Sequence, residues 1–286
     1  MTIFSAILLL SSIILSTGRN TFSKSISTVP IKSKAFFLLQ ATIFFSGSIV
    51  LAVANGFSGI SATTMLLSLA YASFLILAQW NYTYALKNGN IGICAIVYSL
   101  GFIIPTILGF IFWGENPTPL KLLGIALVIP AIIISGNKSD NTANNNKYFF
   151  PLILAMTASG GLGVLQKIHQ STEFKDELTG FVLIAFLIAG TVSILVQTLI
   201  KSPKSEIPKK HFLFAILVGL CFSIANLLNT KLTGLLDSSV FFPILNVGSI
   251  LASVLAGFVI FKEKLNLKTC IILILGFGSI LLINLG

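Results

Sequence analysis

Charge is scarce in this sequence, and that scarcity limits the kind of protein it can be. Only 9% of its 286 residues are charged, whereas a soluble domain carries about 25% charged residues. Hydrophobic residues make up 55% of the chain, and the mean hydropathy is +0.99. A water-soluble fold is therefore excluded, and the composition predicts an integral membrane protein.

Residue patterns typical of metal, disulfide and catalytic sites are also missing. Cys94, Cys221 and Cys270 lie in apolar segments without CxxC or Cys/His spacing, so they are interpreted as packing residues. His169 and His211 lie near segment ends with no orienting acid nearby. The sequence contains no HExxH, no Gly-rich phosphate loop ending in GK[ST] and no Ser/His/Asp arrangement. We expect no catalytic residue, no metal site and no cofactor, which argues against an enzyme or an ATP-driven pump.

Long apolar runs recur along the whole chain and predict an all-α integral membrane fold of ten transmembrane helices. A helix of about 20 residues crosses the hydrocarbon core of a bilayer. The first run has no basic residue before it, so we interpret it as a retained helix rather than a secretory signal. The predicted segments are 2–25, 35–53, 62–86, 91–113, 120–135, 148–170, 178–200, 211–233, 239–261 and 268–285.

A polar, low-complexity stretch, GNKSDNTANNNK, divides these segments into two groups of five. Glu115 and Glu263 are 148 positions apart, as are Asn81 and Asn229. Residues 1–136 are therefore predicted to form a first five-helix repeat, 137–147 a linker and 148–286 a second repeat. Because five is an odd number, the second repeat enters the membrane in the opposite orientation, which makes the repeats an inverted pair.

Basic residues gather on one predicted side of the membrane. The formal net charge is +10, but these residues border membrane segments rather than forming the aromatic-rich solvated patch typical of nucleic-acid binding. No nucleic-acid partner is expected. Under the positive-inside rule, the charge bias places both termini outside the cytoplasm. The basic side holds Lys32, Lys34, Lys87, Lys138, Lys147, Lys201, Lys204, Lys209, Lys210, Lys262, Lys264 and Lys268, and the other side only Lys121 and Lys175.

Several motifs resemble the drug/metabolite transporter superfamily and, within it, the ten-helix EamA-like transporters. The resemblance covers essentially the whole chain, although each motif is short. It rests on GRNTFSK late in the first segment, YALK closing the third, Gly114-Glu115 and Lys262-Glu263 closing the fourth and ninth, and the glycines at 124, 276 and 278.

This resemblance implies a multi-pass protein of the plasma (cytoplasmic) membrane that acts as a secondary exporter or exchanger. Its partners would be the lipid bilayer and a small-molecule substrate such as an amino acid, a nucleotide-type metabolite or a drug. Members of the family are usually drawn with both termini in the cytoplasm, opposite to the prediction from charge. Monomer and homodimer both remain open.

Four cationic side chains are candidates for substrate binding because a charge at membrane depth costs at least about 2.5 to 3.5 kcal/mol. They are Arg19, Lys24, Lys167 and Lys231. Lys24 and Lys167 are favoured because they occupy similar places in the two halves. The alternative for all four is that they lie near helix ends and extend to the lipid headgroups.

Neutral polar side chains complete the predicted substrate site. Asn81, Asn229, Asn246, Tyr82 and Tyr98 lie within the third, fourth, eighth and ninth segments. Interhelical hydrogen bonding is the structural alternative for each of them.

No Asp or Glu lies well inside a segment, and a substrate carboxylate or phosphate would suit the cationic residues. The sequence therefore predicts alternating-access transport of a small polar metabolite, anionic or zwitterionic, such as an amino acid. An exporter of lipophilic drugs or cations is the alternative, and a membrane-embedded enzyme acting on a lipid-linked substrate is a weaker one.

Overall fold

A computed structural model describes residues 3–27, 29, 34–56, 59–89, 91–114, 116, 118–136, 146–201, 207–262 and 267–285. Throughout these ranges the regular secondary structure is helical. Short 3₁₀ turns at Leu100–Phe102 and Lys175–Glu177 precede α5 and α8. The helices are α1 (Ile3–Ile26), α2 (Lys34–Asn55), α3 (Ala62–Asn88), α4 (Ile91–Ser99), α5 (Ile103–Phe112), α6 (Pro119–Gly136), α7 (Asn146–Gln170), α8 (Leu178–Leu199), α9 (Lys209–Leu235), α10 (Ser238–Phe261) and α11 (Leu267–Leu285).

These helices match the predicted membrane segments. Within the described residues, 8 helical stretches are long and apolar enough to cross a bilayer, with α4, the first 3₁₀ turn and α5 acting as one stretch. Helices α6 and α11, of 18 and 19 residues, occupy the places of the fifth and tenth predicted segments. The prediction of an all-helical integral membrane protein is confirmed.

The fourth segment, predicted over 91–113, consists of two helices rather than one. A 3₁₀ turn separates α4 from α5 because Pro105 has no N–H to donate to the carbonyl of Gly101. Gly101 also lies against α7, where an added Cβ would meet the Ser159 hydroxyl and the Met156 carbonyl. The Ser159 hydroxyl donates to the Tyr98 carbonyl at 2.9 Å, which fastens this turn to α7.

Contacts at the helix ends fix the directions of the helices. Lys24, near the end of α1, binds carbonyls at the end of α3, so α1 and α3 run in the same direction. Thr64, in the first turn of α3, meets His169 at the end of α7, so α7 runs in the opposite direction. We call the side with residues 59–61 and 171–177 the Ser61 face, and the side with residues 27 and 89 the Gly89 face.

Packing between helices follows a reciprocal pattern. Helix α1 packs mainly against α9 and α3 mainly against α7, while α2 packs against α8 and α6 against α11. If each of the first five segments is exchanged with its counterpart among the last five, the α1–α9 pair becomes the α7–α3 pair. The α2–α8 and α6–α11 pairs stay the same. A molecule with an internal twofold relation would have this set of contacts.

Buried aromatic residues fill the interior, and apolar side chains cover the outside. Phe44, Tyr71, Phe181 and Phe186 are fully buried among α2, α3 and α8. Exposed apolar side chains are frequent, as expected where lipid rather than water surrounds the protein. Among them are Ile14, Val53, Leu66, Phe112, Leu199, Val259 and Ile274.

Close helix contact depends on glycine at Gly219 of α9. A Cβ there would meet the Ile43 carbonyl and the Ser46 hydroxyl of α2. Small residues allow backbones to approach in membrane proteins, where packing replaces the hydrophobic effect between helices. We expect Gly219→Ala to lower the free energy of unfolding by about 1–3 kcal/mol, because backbone atoms must move apart.

Thermal unfolding in detergent measures this effect. Gly59→Ala is the matched control, since nothing lies within 4 Å of the added Cβ there. Equal midpoints for the two variants would contradict the close approach of α2 and α9.

Candidate substrate site

A polar cavity of about 100 Å³ lies between helices of both halves of the chain. Residues of α1, α4, α5, α7, α9 and α10 line it, together with the 3₁₀ turn before α5. This volume accommodates several water molecules or part of a small solute. The polar residues of its lining are Ser16, Arg19, Asn20, Tyr98, Ser99, Ser159, Gln166, Asn226, Asn229, Asn246 and Ser249.

Arg19 carries the positive charge of this lining. Its side chain is 5% exposed. Its Nε and Nη2 donate to Gln79 Oε1 at 3.1 Å and 2.7 Å. Three aromatic rings surround the guanidinium, with Cζ at 4.1 Å from the ring centroid of Phe222, 4.9 Å from that of Tyr98 and 5.1 Å from that of Tyr82. Desolvated cation–π contacts of this kind contribute about 2 kcal/mol each.

Within the described part of the chain, no carboxylate neutralises this guanidinium. Nη1 and one hydrogen of Nη2 have no hydrogen-bond partner among these residues, since a guanidinium has five N–H donors and Gln79 accepts from two of them. The described acidic residues lie at or beyond helix ends, outside the cavity lining: Glu173, Asp176, Glu177 and Asp237. The cavity therefore offers unused donors and an uncompensated positive charge.

A second polar group faces the cavity from α7 and α9. The Tyr71 hydroxyl donates to Asn226 Oδ1 at 2.6 Å and accepts from Gln166 Nε2 at 2.8 Å. Asn226 Nδ2 in turn donates to the Phe222 carbonyl at 2.7 Å. This chain of bonds orients two amide groups at the wall, because each has its donor or acceptor fixed by a neighbour.

Other polar residues of the wall pair across helices. Ser12 donates to Asn229 Oδ1 at 2.5 Å, and Asn20 Nδ2 donates to the Ser253 hydroxyl at 3.0 Å. Ser249 differs, because its buried hydroxyl has no hydrogen-bond partner among the described residues. A buried polar group of this kind is normally satisfied by water or a ligand.

The two favoured lysines lie outside the cavity lining. Lys24 Nζ donates to the carbonyls of Leu86 and Gly89, at 2.6 Å each, where α3 ends. Lys167 Nζ donates to the Thr233 carbonyl at 3.4 Å, near the end of α9. A cation at a helix C-terminus satisfies unpaired carbonyls and interacts favourably with the helix dipole. Their predicted role in substrate binding stays a prediction, but the geometry gives both a role in holding helix ends.

The remaining predicted residues divide into two groups. Tyr98, Asn229 and Asn246 line the cavity, and Tyr82 lies beside Arg19. Asn246 donates to the Phe242 carbonyl at 2.6 Å, so its amide oxygen and its second N–H remain for a solute. In contrast, Asn81 donates to the carbonyl of Leu77 in its own helix, and Lys231 is exposed near the Phe4 ring. Neither of these two belongs to the lining.

Helical spacing identifies the residues that the predicted set omitted. Gln79 lies three positions before Tyr82 and Asn226 three before Asn229, so each pair shares a helix face. Asn81 is two positions from Gln79 and points elsewhere. Phe222, Gln166 and Ser249 carried no comparable signal, because an aromatic, an amide and a serine are ordinary packing residues of membrane helices.

Known proteins resemble this chain in sequence and in fold. Residues 147–285 match the model of the EamA-like transporter family. The uncharacterized membrane protein YvaE of Bacillus subtilis (strain 168) is 25% identical over 99 residues, which are 34% of this chain and 79% of that protein. A solved crystal structure matches with a TM-score of 0.69 at 15% identity, covering 100% of this chain and 98% of the other. That last likeness concerns the fold alone.

The structure is that of a multi-pass helical membrane protein, and the family match suggests a membrane transporter of the drug/metabolite transporter type. Within that class, residues 147–285 are similar to the EamA-like transporter family, in agreement with the resemblance seen in the sequence motifs. Members of this family are transporters rather than enzymes.

The lysine contacts lead to a test of stability. Replacing Lys24 by Met should lower the free energy of unfolding by about 2 kcal/mol, because two charge-assisted hydrogen bonds are lost. Lys167→Met should cost less, since its single bond is 3.4 Å long.

Thermal unfolding and solute binding should be measured on the same samples. A Lys24→Met protein as stable as wild type that no longer binds solute would contradict the helix-end role and support a direct role in the site.

Proposed function

We propose that this protein is a secondary transporter that moves a small anionic or zwitterionic metabolite, such as an amino acid, by alternating access through the cavity. One observation carries the proposal: the guanidinium of Arg19, deeply buried, keeps unused donors beside a polar cavity. Burying a cation without a carboxylate partner costs several kcal/mol, so a residue of this kind within a membrane usually has a function. A solute carboxylate would supply the missing charge and accept the unused N–H groups.

The depth of Arg19 supports a site within the membrane rather than at its surface. Seven residues separate Arg19 from the end of α1 at Ile26, which is about 10 Å along the helix. Lys24 lies only two residues from the same end and reaches carbonyls there. The aromatic rings around Arg19 hold its side chain at that depth through the contacts described above.

Two related halves would provide the movement. We propose that 1–136 and 148–286 are inverted repeats joined by 137–147. The opposite directions of α1 and α7 and the reciprocal helix pairs support this division. In each half a lysine of the first helix holds the end of the third, with acceptors Leu86 and Thr233. Gly114 and Lys262, which follow the fourth and ninth segments, both have left-handed backbone, with φ of +66° and +52°.

The similarity to known proteins also supports a repeat of about half the chain. The family match begins at residue 147 and covers one half of the chain. The matched 99 residues are 79% of YvaE but only 34% of this chain, so that relative is less than half as long. Rocking of one half against the other would expose the cavity to each side in turn, as in other transporters with inverted repeats. We place the protein in the plasma membrane on the basis of this family.

Export of lipophilic cations is disfavoured by the same guanidinium. A fixed positive charge repels a cationic solute in a low-dielectric cavity. Arg19 already lies over the rings of Tyr82, Tyr98 and Phe222, whose faces would otherwise attract a cationic solute. A membrane-embedded enzyme is also disfavoured, since among the described lining residues none forms an acid/base pair.

Counterflow in proteoliposomes tests the function. Vesicles are loaded with pools of amino acids, organic anions or lipophilic cations, and exchange of labelled solute is measured. We expect saturable exchange with an anionic or zwitterionic pool. Arg19→Gln should raise the half-saturating concentration about 10- to 100-fold, because a charge-assisted hydrogen bond contributes about 1.5–3 kcal/mol.

Two further variants make the result specific. Lys210→Gln removes one positive charge from an exposed site at the start of α9 and should leave exchange unchanged. Arg19→Lys retains the charge but not the planar donor geometry, and should recover only part of the affinity. Exchange of lipophilic cations alone, or equal exchange by Arg19→Gln and wild type, would overturn the proposed substrate class.

A further inference from the structure

The connection between α7 and α8 is hydrogen-bonded to the start of α3 on the Ser61 face. Glu177 ends the 3₁₀ turn Lys175–Glu177, and its Oε2 accepts from the Ser61 backbone N–H at 2.9 Å and from the Ser61 hydroxyl at 2.8 Å. These bonds join residues 116 positions apart in the sequence. They therefore link the first half of the chain to the second.

Neighbouring contacts extend this link into both halves. Ser61 is the N-cap of α3 and accepts from the Thr64 backbone N–H at 3.2 Å. The Thr64 hydroxyl lies 3.5 Å from His169 Nε2, and the His169 ring stacks on Phe181 with centroids 4.4 Å apart. The carboxylate thus sits at the positive end of the α3 dipole, where a negative charge is stabilised.

Among the described residues, the opposite face does not repeat this arrangement. At the start of α9, which corresponds to α3 in the second half, the N-cap is Pro208 instead of Ser61. Proline has neither a backbone N–H nor a hydroxyl, so it cannot donate to a carboxylate as Ser61 does. The contact therefore distinguishes the Ser61 face from the Gly89 face.

We propose that the contact between Glu177 and Ser61 is a proton-sensitive gate, closed while Glu177 is ionised, that controls access to the cavity from the Ser61 face. This inference rests on the alternating-access function proposed above. An ionised carboxylate accepts both hydrogen bonds and interacts with the helix dipole. A protonated carboxyl group loses the charge and accepts more weakly, so acidification of this side favours opening.

Other titratable groups near the gate are few in the described residues. His169 approaches from α7, and the α7–α8 connection itself carries Glu173, Lys175 and Asp176. Asp237 lies at the start of α10 on the same face, while residues 59–64 and all of α8 contain no ionisable side chain. Protonation of His169 would place a cation near Glu177 and favour closure, so the carboxylate has to be varied alone.

Distances between spin labels across the gate test this inference. Labels are attached at Thr63→Cys and Glu173→Cys, both exposed, in a protein whose native cysteines are replaced. In liposomes without solute, we expect one short distance at neutral pH. A second, longer population should appear only below the usual titration range of a glutamate, because hydrogen bonds from Thr64 and Ser61 lower the pKa of Glu177. Glu177→Gln should show the longer population at both pH values, and Asp176→Asn, the matched control, should behave as wild type.

Ser61→Ala provides a second test that keeps the backbone N–H and removes only the hydroxyl. It should populate the longer distance partly at neutral pH and remain sensitive to acid. A wild-type distance distribution unchanged by pH, or a Glu177→Gln distribution identical to wild type, would overturn the gate. No solute is present in this measurement, so a negative result would contradict the gate but not the proposed substrate class. A negative counterflow result would likewise not affect the distance measurement.

Discussion

A guanidinium held inside a membrane protein, with no carboxylate partner among the described residues, is the constraint on which the rest of this account depends. Lipid cannot solvate Arg19, so the protein has to hold it with Gln79 and three aromatic rings. Those contacts come from α3, α4 and α9 and require the close approach of helices from both halves. The cavity exists where these helices meet, and its remaining amides are oriented by one another.

Much of the fold follows from physical features that the sequence displays directly. Apolar runs of sufficient length predict the spans, and the polar stretch after Gly136 predicts the division. Pro105 indicates from the sequence alone that the fourth segment is interrupted, but the 3₁₀ form of the turn also depends on the approach of α7 to Gly101. Neither residue alone specifies a 3₁₀ turn, since proline kinks and packing glycines are common in membrane helices.

The site was only partly predictable, because the sequence does not show which cationic side chains bind helix ends and which face the cavity. Lys24 and Lys167 drew attention because they occur at similar places in both halves, yet each lies within one turn of unpaired helix carbonyls. Arg19 lies deeper and donates to the Gln79 side chain rather than to a helix-end carbonyl. To identify Arg19 as the central residue of the site, one has to know which helix face meets Gln79 and Phe222. The hydropathy of the sequence does not contain that information. The same limit explains why Asn81 was included and Gln79 was not.

Substrate protection of a cysteine at position 249 tests most directly whether solute binds beside Arg19. The buried Ser249 hydroxyl lines the cavity and has no partner in the described residues, so Ser249→Cys places a reporter at the site. In a background lacking the native cysteines, its reaction with a small thiol reagent is followed with and without the solute exchanged in counterflow. The account predicts that saturating solute slows labelling and that Arg19→Gln abolishes this protection. Labelling that is unaffected by saturating solute would contradict it.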